Sequence, residues 1–205
     1  MGIYETLYAF RDTFGSFMGT EGTHSWSQGF PLTTPLEKFG GPPLPDSVDV
    51  TWEDRFYPKA WGHPKLREAI VDFYNSRYGS TITPENVMVF AGGRPGIYTV
   101  MAFLKEHIKV RIGNIEWPAY LDILTQTNTE YEIVPFTKEN GFHPPNFEYF
   151  DRAGVEEGAG LMPVISNPQN PSGQTRFGEE LEELIEMAEQ PGNGILLDEA
   201  YEMFH

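Results

Sequence analysis

Apolar runs of strand length alternate with segments of helical periodicity from residue 85 onward, and this alternation is what most constrains the fold. The strand-length runs occupy residues 86–91, 108–113, 131–136, 161–166 and 194–200, and the helical segments 95–107, 118–127 and 179–190. The runs lack strict polar alternation, which is typical of strands buried on both faces of a parallel sheet. We therefore predict an α/β fold, a mostly parallel sheet with helices on both faces.

The first fifty residues have a different texture, and we place a domain boundary at residue 50. Residues 3–18 carry apolar side chains at helical spacing, which predicts a short amphipathic helix rich in aromatic residues. Residues 29–46 are dense in Pro and Gly and predict an extended arm rather than a regular element. Residues 1–50 are thus predicted to form an N-terminal helix and arm, and residues 51–205 part of a large α/β domain.

A further helix is predicted to begin at Pro64 and to end at Gly79, since proline suits a first turn and glycine a helix end. Its predicted buried face carries Leu66, Ile70, Phe73 and Tyr74. At the other end of the sequence, only a few residues follow the apolar strand at 194–200. We expect the α/β domain to be truncated at this point.

Composition excludes several classes of function. Thirty acidic residues against 14 basic ones give a formal net charge of -16, which repels a nucleic-acid backbone. The absence of cysteine removes disulfides, thiolate nucleophiles and cysteine-bound zinc. The five histidines show no metal-ligand spacing, and no window approaches the roughly 18 apolar residues of a membrane span. We predict a cytoplasmic protein without a metal site that binds neither nucleic acid nor membrane.

Four short motifs follow the predicted strands, at residues 91–96, 117–120, 167–173 and 198–201. Ligands of open parallel sheets bind outside the carboxyl ends of the strands, where such motifs gather. The sequence therefore predicts a small-molecule site at that edge of the sheet.

Each motif has a chemical interpretation and an ordinary structural alternative. Gly92 and Gly93 before a helix let backbone N–H groups approach a phosphate, or simply make a tight turn. Tyr120 is suited to stacking on a flat heterocycle, or is a core tyrosine. Two Asn-Pro steps hold Asn170 rigidly toward a ligand, or serve the turn alone. Asp198 ends an apolar strand and needs a cationic partner such as a protonated pyridine nitrogen, unless it is a capping or salt-bridged residue.

Taken together, the motifs resemble one family, the pyridoxal-phosphate-dependent class I/II aminotransferases of the aspartate aminotransferase superfamily. The most specific part is Asn-Pro-Gln-Asn-Pro-Ser-Gly at 167–173 followed by Asp-Glu-Ala-Tyr at 198–201. Upstream, Tyr57, Gly62, Leu66 and Arg67 resemble the family's Tyr-x-x-x-x-Gly-x-x-x-Leu-Arg segment. The resemblance runs from about Gly29 to Phe204.

The resemblance implies pyridoxal 5′-phosphate as the cofactor. Asp198 would pair with the pyridinium nitrogen and keep it protonated. Asn170 and Tyr201 would hydrogen-bond the phenolic oxygen, and Tyr120 would stack on the ring. The phosphate would lie on the backbone at residues 92–94.

The resemblance also implies contacts beyond one cofactor. Tyr57 would reach the phosphate of the neighbouring subunit, which implies a homodimer with shared sites. Gly29 would lie near the substrate carboxylate, and Asn170 would contact the substrate as well as the cofactor.

The sequence departs from the family pattern in two respects. The family often has a small polar residue where this chain has Ala91 and Gly93, so hydroxyl contacts to the phosphate are missing. Arg94 either replaces them with a charge-assisted bond or points to solvent. The family's Schiff-base lysine follows the Asp-Glu-x-Tyr motif, whereas the last lysine here is Lys138. We therefore expect no catalytic residue within these 205 residues, which would form an N-terminal half.

The function that the resemblance implies is transfer of an amino group between an amino acid and a 2-oxo acid. Other reactions of the same scaffold stay open, namely those of a β-lyase, a decarboxylase, a cyclase or an amino-acid oxidase. A non-catalytic half-domain that needs a partner chain is the alternative outside the enzyme class.

Overall fold

The computed structural model describes residues 3–17 and 46–202, and the chain divides into two compact units, residues 1–51 and 52–205. In the first unit, helix α1 spans Ile3–Phe14 and is shorter than the predicted 3–18. Its aromatic side chains Tyr8 and Phe14 are exposed. The predicted arm at 29–46 lies, apart from its last residue, outside the described residues.

The second unit contains a parallel sheet of four strands in the order β2-β1-β3-β4. The strands are β1 (Ile108–Gly113), β2 (Tyr131–Val134), β3 (Gly160–Ser166) and β4 (Leu196–Asp198). Along β3 and β4, Ser166 lies opposite Asp198, so the two strands end at the same level. The parallel sheet predicted from the sequence is confirmed.

Five helices accompany the sheet in the described part of this unit. They are α2 (Pro64–Tyr78), α3 (Gly93–Leu104), α4 (Ala119–Thr127), α5 (Asn146–Tyr149) and α6 (Glu179–Ala188). Single 3-10 turns lie at Glu53–Arg55 and Pro84–Asn86. Helix α2 ends as predicted, with Gly79 in the left-handed conformation at a φ of 66°. No helix among residues 3–17 and 46–202 is long and apolar enough to cross a membrane.

Helices cover both faces of the sheet because side chains alternate along each strand. On one face, Val110, Ile112 and Val164 pack with residues of α3 and α4 such as Met101 and Leu124. On the other face, Ile165 of β3 packs with Tyr149 of α5 and Leu184 of α6. Both clusters are nearly inaccessible to water, which makes them the core of the unit.

Strand β1 departs from an apolar pattern on its second face, where Lys109 and Arg111 are buried. Both cations pair with Glu132 of β2, at 2.7 Å and 2.6 Å. Arg111 also donates to the carbonyl oxygens of Asp151 and Ala153. Pairing and carbonyl contacts offset the cost of removing these charges from water.

Two predictions about local structure were wrong. Residues 86–91 form no strand in the described structure, because their backbone is engaged elsewhere: Val89 N–H donates to Trp61 O, and Arg67 donates to Val87 O. On α2, the buried residues are Arg67 and Val71; of the predicted face, Leu66 and Phe73 are exposed, while Ile70 and Tyr74 are half-buried. The buried guanidinium of Arg67 holds the 84–87 segment through carbonyl oxygens, which apolar periodicity does not reveal.

Candidate cofactor site

The carboxyl ends of the strands and the start of α3 enclose a pocket of about 280 Å³. This volume is just below the range of small-molecule pockets, roughly 300–1,000 Å³. Six of the predicted site residues line the pocket, together with Ile97, Trp117, Ser166 and Ala200. The six are Gly93, Arg94, Tyr120, Asn170, Asp198 and Tyr201. The fold thus brings the four separate motifs to one place.

The start of α3 supplies backbone N–H groups to the pocket. Gly92 precedes the helix with a φ of 108° and a ψ of 158°, a conformation available essentially to glycine alone. Gly93 begins the helix, and a Cβ built there would meet nothing within 4 Å. The first N–H groups of a helix lack intrahelical partners and favour an anion. This end of the pocket therefore suits a phosphate.

Arg94 lies exposed beside the pocket with its guanidinium 5.0 Å from the centre of the Trp117 ring. Trp117 is half-buried and meets Tyr120 edge to face at 5.2 Å. Trp117 is a pocket residue to which sequence reasoning gave no role, although its motif was singled out. Its ring, packed between Arg94 and Tyr120, gives the pocket an aromatic wall.

Tyr120 is a core residue whose hydroxyl reaches the pocket. Its side chain is 1% exposed, and its hydroxyl donates to Asp198 Oδ2 at 2.6 Å. Burial, and then the hydrogen bond to Asp198, raise the pKa of Tyr120, so the phenol stays protonated and donates. The predicted stacking of Tyr120 on a ring stays a prediction, while its contact with Asp198 is a feature that the sequence did not indicate.

Asp198 ends β4 half-buried in the pocket. Besides the bond from Tyr120, its Oδ1 accepts from Ala200 N–H at 3.1 Å. Both of these donors are neutral, and within the described residues the Asp198 carboxylate forms no ion pair. A half-buried carboxylate with neutral donors is suited to a cationic ligand group.

The two asparagines of the turn after β3 have different roles. Asn167 is buried and holds the turn closed, because its side chain exchanges hydrogen bonds with the backbone of Arg176 at 2.8 Å and 3.0 Å. Asn170 instead lines the pocket, and its Nδ2 donates to the hydroxyl of Tyr201 at 3.3 Å. The Asn170–Tyr201 pair presents one amide and one phenol to a ligand.

A buried acid beneath the pocket was missed by sequence reasoning. Glu116 is 8% exposed and accepts from Ser166 Oγ at 2.5 Å. Burial raises the pKa of Glu116 to about 7, although hydrogen bonds from Ser166 and Gln169 and the charge of Arg176 lower it. No pattern in the sequence distinguishes this glutamate from a solvated one.

The remaining predicted residues lie elsewhere. Tyr57 is fully exposed, so it is not a core residue of this chain. Gly92 lies next to the pocket as the cap of α3. Gly29 is outside the described residues. No lysine lines the pocket within residues 3–17 and 46–202.

A parallel sheet with helices on both faces, and a pocket at the carboxyl ends of its strands lined by a carboxylate, an amide and a phenol beside a glycine-rich helix start, define an α/β protein with a small-molecule pocket. The model of the aminotransferase class I and II family matches residues 51–205. The chain belongs to this family, whose members depend on pyridoxal phosphate.

Individual relatives agree with the family match. Transaminase BacF of Bacillus subtilis (strain 168) is 39% identical over 114 residues, which are 55% of this chain and 28% of that protein. An aspartate aminotransferase of Pyrococcus horikoshii is 32% identical over 159 residues, 77% of this chain and 39% of that protein.

Solved structures resemble the fold as well. The structure titled aspartate aminotransferase from Thermus thermophilus with maleate superposes with a TM-score of 0.63 at 26% identity, over 72% of this chain and 38% of that one. This chain thus spans well under half the length of the relatives that it matches.

The conformation of Gly92 leads to a prediction about stability. Gly92→Ala places a Cβ in a glycine-only backbone region and is expected to lower the free energy of unfolding by about 1–3 kcal/mol. The Cβ itself would make only an ordinary 3.8 Å contact with Pro95, so the cost comes from the backbone. Urea denaturation followed by circular dichroism measures the change.

Gly93→Ala is the matched control for this prediction. Gly93 has no positive φ and open space around its Cβ position, so alanine there should leave stability unchanged or raise it slightly. Equal losses in the two variants would contradict the described backbone at the start of α3.

Proposed function

We propose that this chain carries the cofactor pocket of a pyridoxal-phosphate-dependent amino-acid aminotransferase. The reaction is transfer of an amino group between an amino acid and a 2-oxo acid. Family membership supports the proposal, and the single observation that carries it is the half-buried Asp198, which lines the pocket and accepts hydrogen bonds from neutral donors.

The residues present fit the cofactor in chemical type. A carboxylate suits a protonated ring nitrogen, and the Asn170–Tyr201 pair suits an ionised phenolic oxygen. The start of α3 suits a phosphate, and Trp117 and Tyr120 offer aromatic surface. When bound, pyridoxal phosphate supplies an electron-accepting ring for the electron pair released at the substrate Cα.

The chain's own contribution is binding, orientation and charge. Asp198 would hold the protonated ring nitrogen, and Tyr120 fixes the orientation of that carboxylate through its 2.6 Å hydrogen bond. Asn170, which lines the same pocket, would hold the phenolic oxygen. We propose that the Schiff-base lysine and the residue that binds the substrate carboxylate are supplied from outside these 205 residues.

The finer assignments are expectations within this proposal. The reactions of a β-lyase, a decarboxylase, a cyclase or an amino-acid oxidase stay open as alternatives. A cofactor pocket of this kind is compatible with each of them, because the bond that breaks depends on how the substrate is held. Three further statements stay predictions: that Gly29 and Asn170 contact the substrate, that the protein is cytoplasmic, and the alternative that the chain is a non-catalytic half-domain.

Binding of pyridoxamine 5′-phosphate tests the proposal directly. This form of the cofactor lacks the aldehyde, so it does not react with surface lysines. Asp198→Asn keeps the side-chain shape and removes the charge, and loss of a charge-assisted hydrogen bond of about 1.5–3 kcal/mol predicts binding weaker by about 12- to 140-fold. Isothermal titration calorimetry measures the dissociation constant.

Asp122→Asn is the matched control, because Asp122 is an exposed acid on α4 whose loss changes the net charge equally. Its dissociation constant should equal that of the wild type. Wild-type affinity in Asp198→Asn would remove Asp198 from the proposed role.

We also propose a homodimer in which Tyr57 reaches the phosphate at the partner's pocket. Tyr57 is fully exposed, so its hydroxyl is accessible to a group outside its own subunit, and this supports the proposal. Tyr57→Phe removes only the hydroxyl, so we expect unchanged stability and cofactor binding weaker by about 2- to 12-fold, the equivalent of one hydrogen bond.

Tyr131→Phe, at an exposed tyrosine on β2, is the control for the loss of a hydroxyl. Calorimetry gives the affinities and light scattering the oligomeric state. A monomer with wild-type affinity in Tyr57→Phe would contradict the shared site.

A further inference from the structure

Glu116 is a buried carboxyl group to which the proposed function gives no task. It lies in the loop between β1 and α4 and is 8% exposed. Its Oε2 accepts from Ser166 Oγ at 2.5 Å, and its Oε1 accepts from Gln169 Nε2 at 3.4 Å. Gln169 Nε2 also donates to Ile115 O at 3.1 Å. Glu116 therefore ties the loop after β1 to the turn after β3.

Ser166 connects this carboxyl group with the pocket. Ser166 lines the pocket, lies opposite Asp198 in the sheet, and accepts at Oγ from Asn170 N–H at 3.0 Å. A hydroxyl has one hydrogen to donate. While that hydrogen is donated to Glu116, the Ser166 lone pairs face Asn170 and the pocket, so the charge state of Glu116 decides what Ser166 presents there.

The surroundings of Glu116 contain three other titratable or charged groups in the described structure. Arg176, at the end of the turn before α6, attracts the ionised form. Tyr120 of α4 and Tyr149 of α5 face it as neutral phenols, because burial raises the pKa of each. Asp198 lies beyond the Tyr120 hydroxyl. One buried cation thus faces a carboxyl group that burial otherwise keeps neutral.

We propose that Glu116 is a positioning residue for the cofactor pocket, acting through the Ser166 hydroxyl on Asn170 and on the electrostatic environment of Asp198. The inference rests on the proposed function. Ionised Glu116 fixes the Ser166 hydrogen away from the pocket, leaves Oγ as the acceptor for Asn170 N–H, and adds negative charge behind Asp198. The added charge favours a ligand with a protonated ring nitrogen, and the bond from Asn170 N–H to Ser166 Oγ keeps Asn170 in place beside the pocket.

Protonated Glu116 reverses the hydrogen bond. The carboxyl group then donates to Ser166 Oγ, and the Ser166 hydrogen turns toward Asn170 N–H and the pocket, where it competes with that bond. Because the ionised form binds the ligand better, affinity should rise as the pH passes upward through about 7, where Glu116 loses its proton.

Glu116→Gln tests this dependence, because glutamine imitates the neutral acid permanently. Pyridoxamine 5′-phosphate is titrated into the wild-type chain and the variant by calorimetry. At about pH 8 the wild type should bind about 3- to 10-fold more tightly than the variant, which corresponds to a charge effect of about half to one pKa unit, since one unit is a tenfold change in affinity. At about pH 5.5, where Glu116 is protonated, the two should bind equally. Comparison at one pH cancels the titration of the ligand itself.

The outcomes separate the two levels of the proposal. Absence of wild-type binding at every pH overturns the proposed function and this inference with it. Binding with a ratio of affinities that is the same at both pH values overturns the inference alone, because a merely structural role of Glu116 gives a constant ratio. A ratio that grows toward high pH supports it, and Asp122→Asn should show no such growth.

If Glu116→Gln does not fold, as judged by circular dichroism, Ser166→Ala is the second test. The alanine removes the hydroxyl that connects Glu116 with the pocket and retains the Glu116 carboxyl group. The wild-type advantage over Ser166→Ala should likewise grow by about threefold or more from low to high pH. A constant advantage would overturn the inference.

Discussion

The parallel pairing of β3 with β4 is the constraint on which the site depends. Ser166 lies opposite Asp198, and Asn167 N–H donates to Asp198 O at 2.9 Å, so the turns that follow the two strands begin side by side. A shift of one residue would turn Asp198 toward the opposite face of the sheet. The Asn170–Tyr201 contact follows from the same register, because each residue follows the end of its strand by a short turn.

The two acids at and near the pocket, Asp198 and Glu116, accept hydrogen bonds from neutral donors, so these bonds do not cancel their negative charge. Tyr120 and the Ala200 N–H hold Asp198, whereas Ser166 and Gln169 hold Glu116. The pocket therefore has a negative charge. The described cations near it are the buried Arg176 and Arg94, which lies at the pocket's edge. A ligand with a cationic ring nitrogen would suit this balance, and the proposed place for its anion is at the N–H groups that begin α3.

Sequence reasoning succeeded where structure depends on local chemistry and failed where it depends on remote partners. Apolar runs predicted β1 to β4, and turn residues predicted the strand-end motifs, because both signals lie within a few residues. Residues 86–91 have the same apolar signal, but their backbone bonds go to Trp61 and Arg67, which no local pattern specifies. The Tyr120–Asp198 and Glu116–Ser166 contacts join residues 78 and 50 positions apart and were unpredictable for the same reason.

A crystal structure of the chain with pyridoxamine 5′-phosphate tests the central claim most directly, because it locates both ends of the ligand at once. The account predicts the ring nitrogen at about 2.7–2.9 Å from an Asp198 oxygen, the spacing of a charge-assisted hydrogen bond, with the phosphate on the N–H groups at the start of α3. A ligand bound outside this pocket, or bound with its phosphate beside Asp198, would contradict the account.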